Sequence, residues 1–213
     1  MMIMKMMIII ATFFIYLATA LHGDNLQDMC PSNIVKGIFL NGFPCINPAN
    51  VTASDFKSSI LSQPGEFDDF TRSSSSLLTA AEFPGLNTLG LAVGRTDLEI
   101  DGIVTPHTHP RSSEMIFVAK GKVAVGFIDT QSVIFQKVLE EGEVFVFPRG
   151  LLHYYVNTGF GTATLFSMYN SQNPGMWSIV GGIFQQEELI KKKLVSLSTS
   201  GAERVENVDV FAF

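Results

Sequence analysis

Charge is scarce in this sequence. Asp, Glu, Lys and Arg make up 16% of the 213 positions and hydrophobic residues 46%. That balance fits a compact β-rich core or a surface buried against another subunit better than an independent soluble monomer. Positive charge is scarcer still. The net charge is −6, and the one basic run, Lys191-Lys192-Lys193, falls in a helical pattern and reads as a solvated face. The composition therefore argues against nucleic acid as a partner. Cysteine is nearly absent, with only Cys30 and Cys45. In a secreted chain the pair reads as one disulfide, in a cytosolic one as two free thiols. Histidine occurs four times, and its placement is the main functional signal.

The first twenty residues carry one charge, Lys5, then an apolar run from Met6 to Ala18, with small residues at Ala18-Thr19-Ala20. This predicts a signal peptide over residues 1–22, cleaved between Ala20 and Gly23. A membrane anchor is the alternative, but the small-residue site and the absence of a basic stop favour cleavage, so no stable membrane span is expected afterwards. The remaining chain, roughly 190 residues, is enough for one domain with a sizeable core. Asn50-Val51-Thr52 is the one glycosylation sequon without proline, and secretion would make Asn50 a glycosylated, exposed position.

His22 borders the leader; the other three histidines lie in two stretches. The first is Pro106-His107-Thr108-His109-Pro110, with Glu114 beyond it. On a strand, residues two apart point to one face, so His107 and His109 can aim at one point. Glu114 has the wrong parity for an unbroken strand, and Pro110 marks a bend that resets the phase. The second stretch runs from Gly142 to His153 and turns at Pro148-Arg149-Gly150. Three imidazoles and one carboxylate are thereby expected to converge as a metal site: His107, His109, Glu114 and His153.

The rest of the pattern is β. From Leu86 onward, short runs rich in Val, Phe and Ile alternate with turn residues: Asp101-Gly102, Lys120-Gly121, Glu141-Gly142, Gly159 to Gly161 and Asn173-Pro174-Gly175. The expected strands are Leu89–Val93, Thr96–Ile100, Glu114–Ala119, Lys122–Asp129, Val133–Leu139, Glu143–Phe147, Tyr154–Asn157, Thr162–Tyr169 and Met176–Phe184. Thr71 to Ser76 reads as a loop, and Ser54 to Ile60 as a short helix capped by Ser54. In Gln185 to Leu197 the period changes, and Leu189, Ile190, Leu194 and Leu197 share one helical face. The expected layout is an irregular arm over 23–58, an all-β sandwich or barrel over 59–184 and a helical extension over 185–213.

The two histidine stretches, with Gly121, Gly142, Pro148, Gly150 and Asn157 at their spacings, resemble the two signature motifs of the cupin superfamily. Asn41-Gly42-Phe43-Pro44-Cys45, Pro84-Gly85-Leu86-Asn87-Thr88-Leu89-Gly90, Phe147 to His153 and Ser171-Gln172-Asn173-Pro174-Gly175 are similar to the plant germin-like proteins. The resemblance runs from about Asp28 to Phe184 and fades in the tail. It implies a single cupin jelly-roll β-barrel, a disulfide between Cys30 and Cys45, and manganese on the four ligands. It further implies a homo-oligomer, a hexamer in the family, and secretion to the cell wall or apoplast with a role in defence. Asp101 stands where the motif begins with Gly, and Asp tolerates turn conformations.

Nitrogen and oxygen ligands with open positions suit Mn or Fe(II), while Zn prefers four-coordinate closure; the residues themselves leave the choice open. A divalent ion with one carboxylate keeps local positive charge and draws small anions. The resemblance brings two activities, oxalate oxidase and superoxide dismutase. The oxidase holds its diacid with two asparagines, and the positions matching them here are Gly94 and Val104. Neither supplies an amide, so oxalate oxidation is not expected. A metal-stabilised binding protein, auxin-binding or receptor-like, and a structural wall protein are the non-enzymatic alternatives. Val104, Met115 and Phe117 are read as barrel core.

Overall fold

The computed structural model of the chain describes residues 31, 32, 42–184, 190 and 192. Among them, ten strands form two five-stranded antiparallel sheets. The strands are β1 (Ser73–Leu78), β2 (Ala92–Leu98), β3 (Ile103–Thr108), β4 (Glu114–Lys120), β5 (Val123–Ile128), β6 (Ile134–Leu139), β7 (Val144–Phe147), β8 (Leu152–Asn157), β9 (Ala163–Tyr169) and β10 (Trp177–Ser178). One sheet runs β1-β2-β9-β4-β7 and the other β10-β3-β8-β5-β6. This is the expected all-β jelly roll. Most turns carry the chain from one sheet to the other. Five of these turns hold a residue in the left-handed region, among them Asp101, with φ +60°, between β2 and β3, and Gly121, with φ +89°, between β4 and β5. A Cβ on Gly121 would also sit 2.9 Å from Ala163, so glycine is required there on two counts.

The core is the space between the sheets. Burial alternates residue by residue along β4, β8 and β9, as half-buried strands require. Leu98, Ile116, Val118, Val123, Val125, Phe147, Tyr155 and Leu165 fill the interior. At about 25 cal/mol per Å² of apolar area, each large side chain among them contributes roughly 2 kcal/mol. Asn157 closes one end of the interior. Its amide donates to the carbonyls of Leu98, Glu99 and Gly161, and its oxygen accepts from Gly159 N–H.

Several local expectations are corrected. The serine run at 73–76 is strand β1, not a loop. Its register on β2 is continuous from Ser73↔Leu98 to Leu78↔Val93, and the Ser75 and Thr96 hydroxyls meet at 3.1 Å. A neighbouring strand overrides weak local propensity. The expected strands Leu89–Val93 and Thr96–Ile100 merge into one, β2, because Gly94 and Arg95 continue the ladder, while residues 89–91 and 99–100 lie outside it. The short helix is a 3-10 turn at Ala53–Phe56 whose N-cap is Thr52, not Ser54. The Asp55 carboxylate accepts from the Thr52 N–H and hydroxyl and so fixes the start of the turn. The last strand is only two residues long. Ile179–Phe184 is a helix, α1, because Ser178 Oγ accepts from Gly181 N–H and caps it. Met115 and Phe117 are not core: they lie 40% and 37% exposed on the outer face of β4.

The arm contributes 3-10 turns at Pro48–Asn50 and Ala53–Phe56, and a third, Ile60–Ser62, follows it. Residues 23–30 and 33–41 of the arm, the leader, nearly all of the predicted 185–197 helix and the tail beyond it lie outside the described residues; Ile190 and Lys192 are helical. No helix among the described residues is long and apolar enough to cross a membrane.

Candidate metal centre

All four predicted ligands converge. One ligand atom from each of His107, His109, Glu114 and His153 lies within 4.8 Å of every other, and all four residues are buried. His107 on β3 and His153 on β8 are direct cross-strand partners. Two residues of β3, Thr105 and Pro106, lie between Val104 and His107 where one residue of β8, Tyr154, lies between Tyr155 and His153, so one extra residue bulges around Thr105-Pro106. Proline, which cannot donate to the ladder, is tolerated at such a bulge. The strand ends at Thr108, and Pro110-Arg111 form the expected turn. That turn lets Glu114 begin a new strand, β4, in the facing sheet, with Phe147 and Tyr169 as its cross-strand neighbours.

Each imidazole is oriented by a main-chain carbonyl. Nδ1 of His107 lies 2.9 Å from the Thr105 oxygen, that of His153 2.8 Å from the Leu151 oxygen, and that of His109 2.5 Å from the Gly175 oxygen. A carbonyl only accepts, so each Nδ1 carries the hydrogen and each Nε2 presents a lone pair to the centre. Such outer contacts fix tautomer and ring direction at metal sites. Phe147 stacks on His153 at 4.5 Å and 17°, and the Tyr169 ring meets His109 edge-on at 4.9 Å.

The centre is a cluster of acceptors. Glu114 Oε2 lies 3.0 Å from His153 Nε2 and 3.3 Å from His109 Nε2. His109 Nε2 is buried and lacks a hydrogen-bond partner. Lone pairs held this close, in a site with little access to water, need positive charge between them. Three imidazole nitrogens and one carboxylate oxygen suit a divalent first-row metal, so the residues fit such an ion.

The electrostatics agree. Burial pushes the His107 imidazole down to about 4, with His153 adding to the effect, so it stays neutral and free to coordinate. Burial opposes ionisation of Glu114, but its close polar contacts with His109 and His153 outweigh it and hold the carboxyl well below its usual range. Burial raises both Tyr155 and Tyr169, followed in each by the nearby Glu114 carboxylate, so their hydroxyls keep their protons.

Tyr169 and Tyr155 were not legible as site residues. Tyr155 sits two residues after His153 on the same face, a signal that parity alone could have supplied. Tyr169 needed the β4–β9 register, which no local pattern reveals. Its hydroxyl donates to Glu114 Oε1 at 3.1 Å. Gly94 and Val104 are both at the interior. Val104 packs on the core, and a Cβ on Gly94 would meet Ser167 Cβ at 3.5 Å and Tyr169 Cε2 at 3.6 Å. The tightest neighbour of such a Cβ would be the Ser76 carbonyl at 3.3 Å, and Tyr169 would stand in ordinary contact with it. Of the remaining predicted positions, Asn50 is exposed at the end of its 3-10 turn. Cys45 is engaged in a disulfide, and Cys30 lies outside the described residues.

Comparison with known proteins accounts for this geometry. The cupin family model matches residues 60–200. Germin-like protein subfamily 3 member 4 of Arabidopsis thaliana is 51% identical over 209 residues, covering 97% of this chain and 99% of that protein. A recombinant oxalate oxidase solved with glycolate superposes with a TM-score of 0.71 at 31% identity, covering 82% of this chain and 98% of the other. Peruvianin-I, described as a cysteine peptidase from Thevetia peruviana latex, gives 0.71 at 38% identity over 74% of this chain and 97% of its own. With a family model over most of the chain and half-identity along nearly its whole length, this protein belongs to the cupin family and, within it, to the germin-like proteins.

Proposed function

We propose that the protein is a secreted manganese-binding glycoprotein of the cell wall or apoplast that dismutates superoxide and does not oxidise oxalate. The observation that carries this reading is the centre itself, with one ligand atom from each of His107, His109, Glu114 and His153 within 4.8 Å of the others; Gly94 and Val104, at the positions the resemblance matches to the oxidase's asparagines, supply no amide. His107, His109 and His153 would hold the ion through Nε2, and Glu114 through Oε2. Manganese supplies one-electron redox cycling, which zinc does not. The four ligands leave a divalent ion one positive charge in excess of the carboxylate, which draws a small anion into an otherwise acidic protein. Oxalate needs polar groups to hold its second carboxylate, and leaving such a group unpaired costs about 1–3 kcal/mol or more. The β2 position that would carry one is Gly94, which has no side chain to offer.

The wider reading follows the family. A Cys30–Cys45 disulfide, a glycan on exposed Asn50 and cleavage after residue 22 belong to secretion and to the proposed division into leader, arm, barrel and tail. The apolar outer surface of β4 and β7, where Met115, Phe117, Val144 and Val146 are 37–55% exposed, supports a homo-oligomer. Thiol peptidase chemistry, suggested by the likeness to Peruvianin-I, finds no support: no cysteine among the described residues is free.

The test is metal analysis and superoxide dismutation of protein expressed through a secretory pathway, beside His153→Ala, with oxalate as a second substrate. Near-stoichiometric manganese, activity lost in the variant, and no peroxide from oxalate are expected. Manganese without turnover would favour a binding protein whose metal coordinates a ligand carboxylate, and peroxide from oxalate would overturn the exclusion.

A further inference from the structure

The two oxygens of Glu114 have different surroundings. Oε2 faces the imidazoles, 3.0 Å from His153 Nε2 and 3.3 Å from His109 Nε2. Oε1 points the other way and accepts the Tyr169 hydroxyl at 3.1 Å, both residues being buried. Glu114 and Tyr169 are cross-strand partners on β4 and β9, so this bond joins two inward side chains on rigid elements. The ring cannot easily turn away, because it lies edge-on to His109 at 4.9 Å and against the bare face of Gly94, where a Cβ would be only 3.6 Å from Cε2. Its hydroxyl therefore stays within reach of Glu114 Oε1, and the Ser167 side chain, which also hydrogen-bonds it, lies on the same side. A carboxylate can offer a metal one oxygen or two, and one that is free to rotate can change between them.

We propose that Tyr169 is a positioning residue that engages Oε1 of Glu114, makes Oε2 the sole coordinating oxygen, and so keeps a coordination position open to small molecules. This rests on reading the four residues as a metal centre. A two-oxygen carboxylate would occupy a position that solvent or a small anion could otherwise take. The tyrosine governs access to the metal without touching it.

The experiment loads wild type and Tyr169→Phe with manganese(II) and measures affinity and the water-proton relaxivity of the bound ion. The phenylalanine ring preserves the packing and deletes only the donor; Ser167, which also hydrogen-bonds the carboxyl, is left in place. Loss of an outer-shell partner is expected to weaken binding about 10- to 100-fold, with a lower relaxivity per bound ion as Oε1 displaces solvent. A hydrogen bond that served only the fold would lower the melting temperature and leave relaxivity per bound ion unchanged. That outcome overturns the proposal. A second measurement needs no variant: in the metal-loaded wild type, with isotope-labelled glutamate, the Glu114 antisymmetric and symmetric carboxylate stretches should be widely separated, as for one-oxygen binding. A narrow separation also overturns it. Failure of wild type itself to bind manganese would instead refute the metal-centre reading.

Discussion

Acid should destabilise the metal-free protein through His107, one proton at a time. The imidazole is buried beside His153, and burial holds it near 4 where an unfolded chain holds it at 6.5. Below pH 6.5 the unfolded chain takes up a proton that the folded one refuses. Stability therefore falls with pH until the folded imidazole also protonates, near pH 4. From 6.5 to about 4, at about 1.4 kcal/mol per pH unit, the loss amounts to about 3 kcal/mol. Glu114 acts in the same direction at lower pH: its folded carboxyl lies below the ordinary 4.5, so its contribution is present above 4.5 and lost as pH falls further. The assay is urea unfolding of chelator-treated protein at pH 7, 6 and 5, followed by circular dichroism, for wild type and His107→Gln. The difference between the two should change by about 1.4 kcal/mol per pH unit between pH 6 and 5 and be flat above 7. Parallel pH profiles for the two proteins would refute the claim that His107 is kept neutral by burial.

Two further substitutions separate stability from metal binding. Asn157→Ala removes the amide that serves three carbonyls at one end of the barrel. It should cost about 3 kcal/mol in denaturant unfolding, because several buried groups lose their partner at once. Arg111→Ala removes the contacts to the Asn173 carbonyl and side chain that hold the loop bearing Gly175. Arg111 is exposed, so stability should change by less than about 1 kcal/mol, whereas manganese affinity measured by titration calorimetry should fall about tenfold.

The ligand set was legible because it is chemically rare and locally coded. His107 and His109 sit two apart, Pro110 announces a break, and Pro148-Arg149-Gly150 places His153 at the start of a strand. Parity and turn chemistry suffice for all of that. β4, β8 and β9 were legible because one face of each is dry, which writes an alternation into the residues. β1 was not: four consecutive serines carry no alternation, and only the ladder to β2 makes them a strand. α1 was hidden for a related reason. Ile179, Val180 and Ile183 are β-branched and favour a strand, but β10 pairs with β3 only through Trp177 and Ser178, and the Ser178 cap then turns the chain into a helix. Met115 and Phe117 show the limit of hydrophobicity as a guide to the interior. Alternation places Glu114 and Ile116 inward, and their neighbours must face out whatever their polarity.

The three histidines are not held equally, and this bears on how the centre responds to the rest of the molecule. His107 and His153 each place Nδ1 against the carbonyl two residues earlier in their own chain segment, at Thr105 and Leu151. In the first case the bulge around Thr105-Pro106 leaves that carbonyl available; in the second it lies just outside the strand. These two ligands are prepared by any chain that forms β3 and β8 in register. His109 is different. It lies after the end of β3, and its Nδ1 partner is Gly175, 66 residues away. Gly175 is placed in turn by Arg111, whose guanidinium grips Asn173 and whose N–H donates to the Pro174 carbonyl. A side chain on Gly175 would collide with that guanidinium at 2.7 Å. The segment Ser171 to Gly175 therefore does for His109 what a neighbouring carbonyl does for the other two. Loosening it would leave a two-histidine site with Glu114 and a mobile third ligand. Metal affinity in this protein is thus coupled to the β9–β10 connection as well as to the motif that contains the ligands.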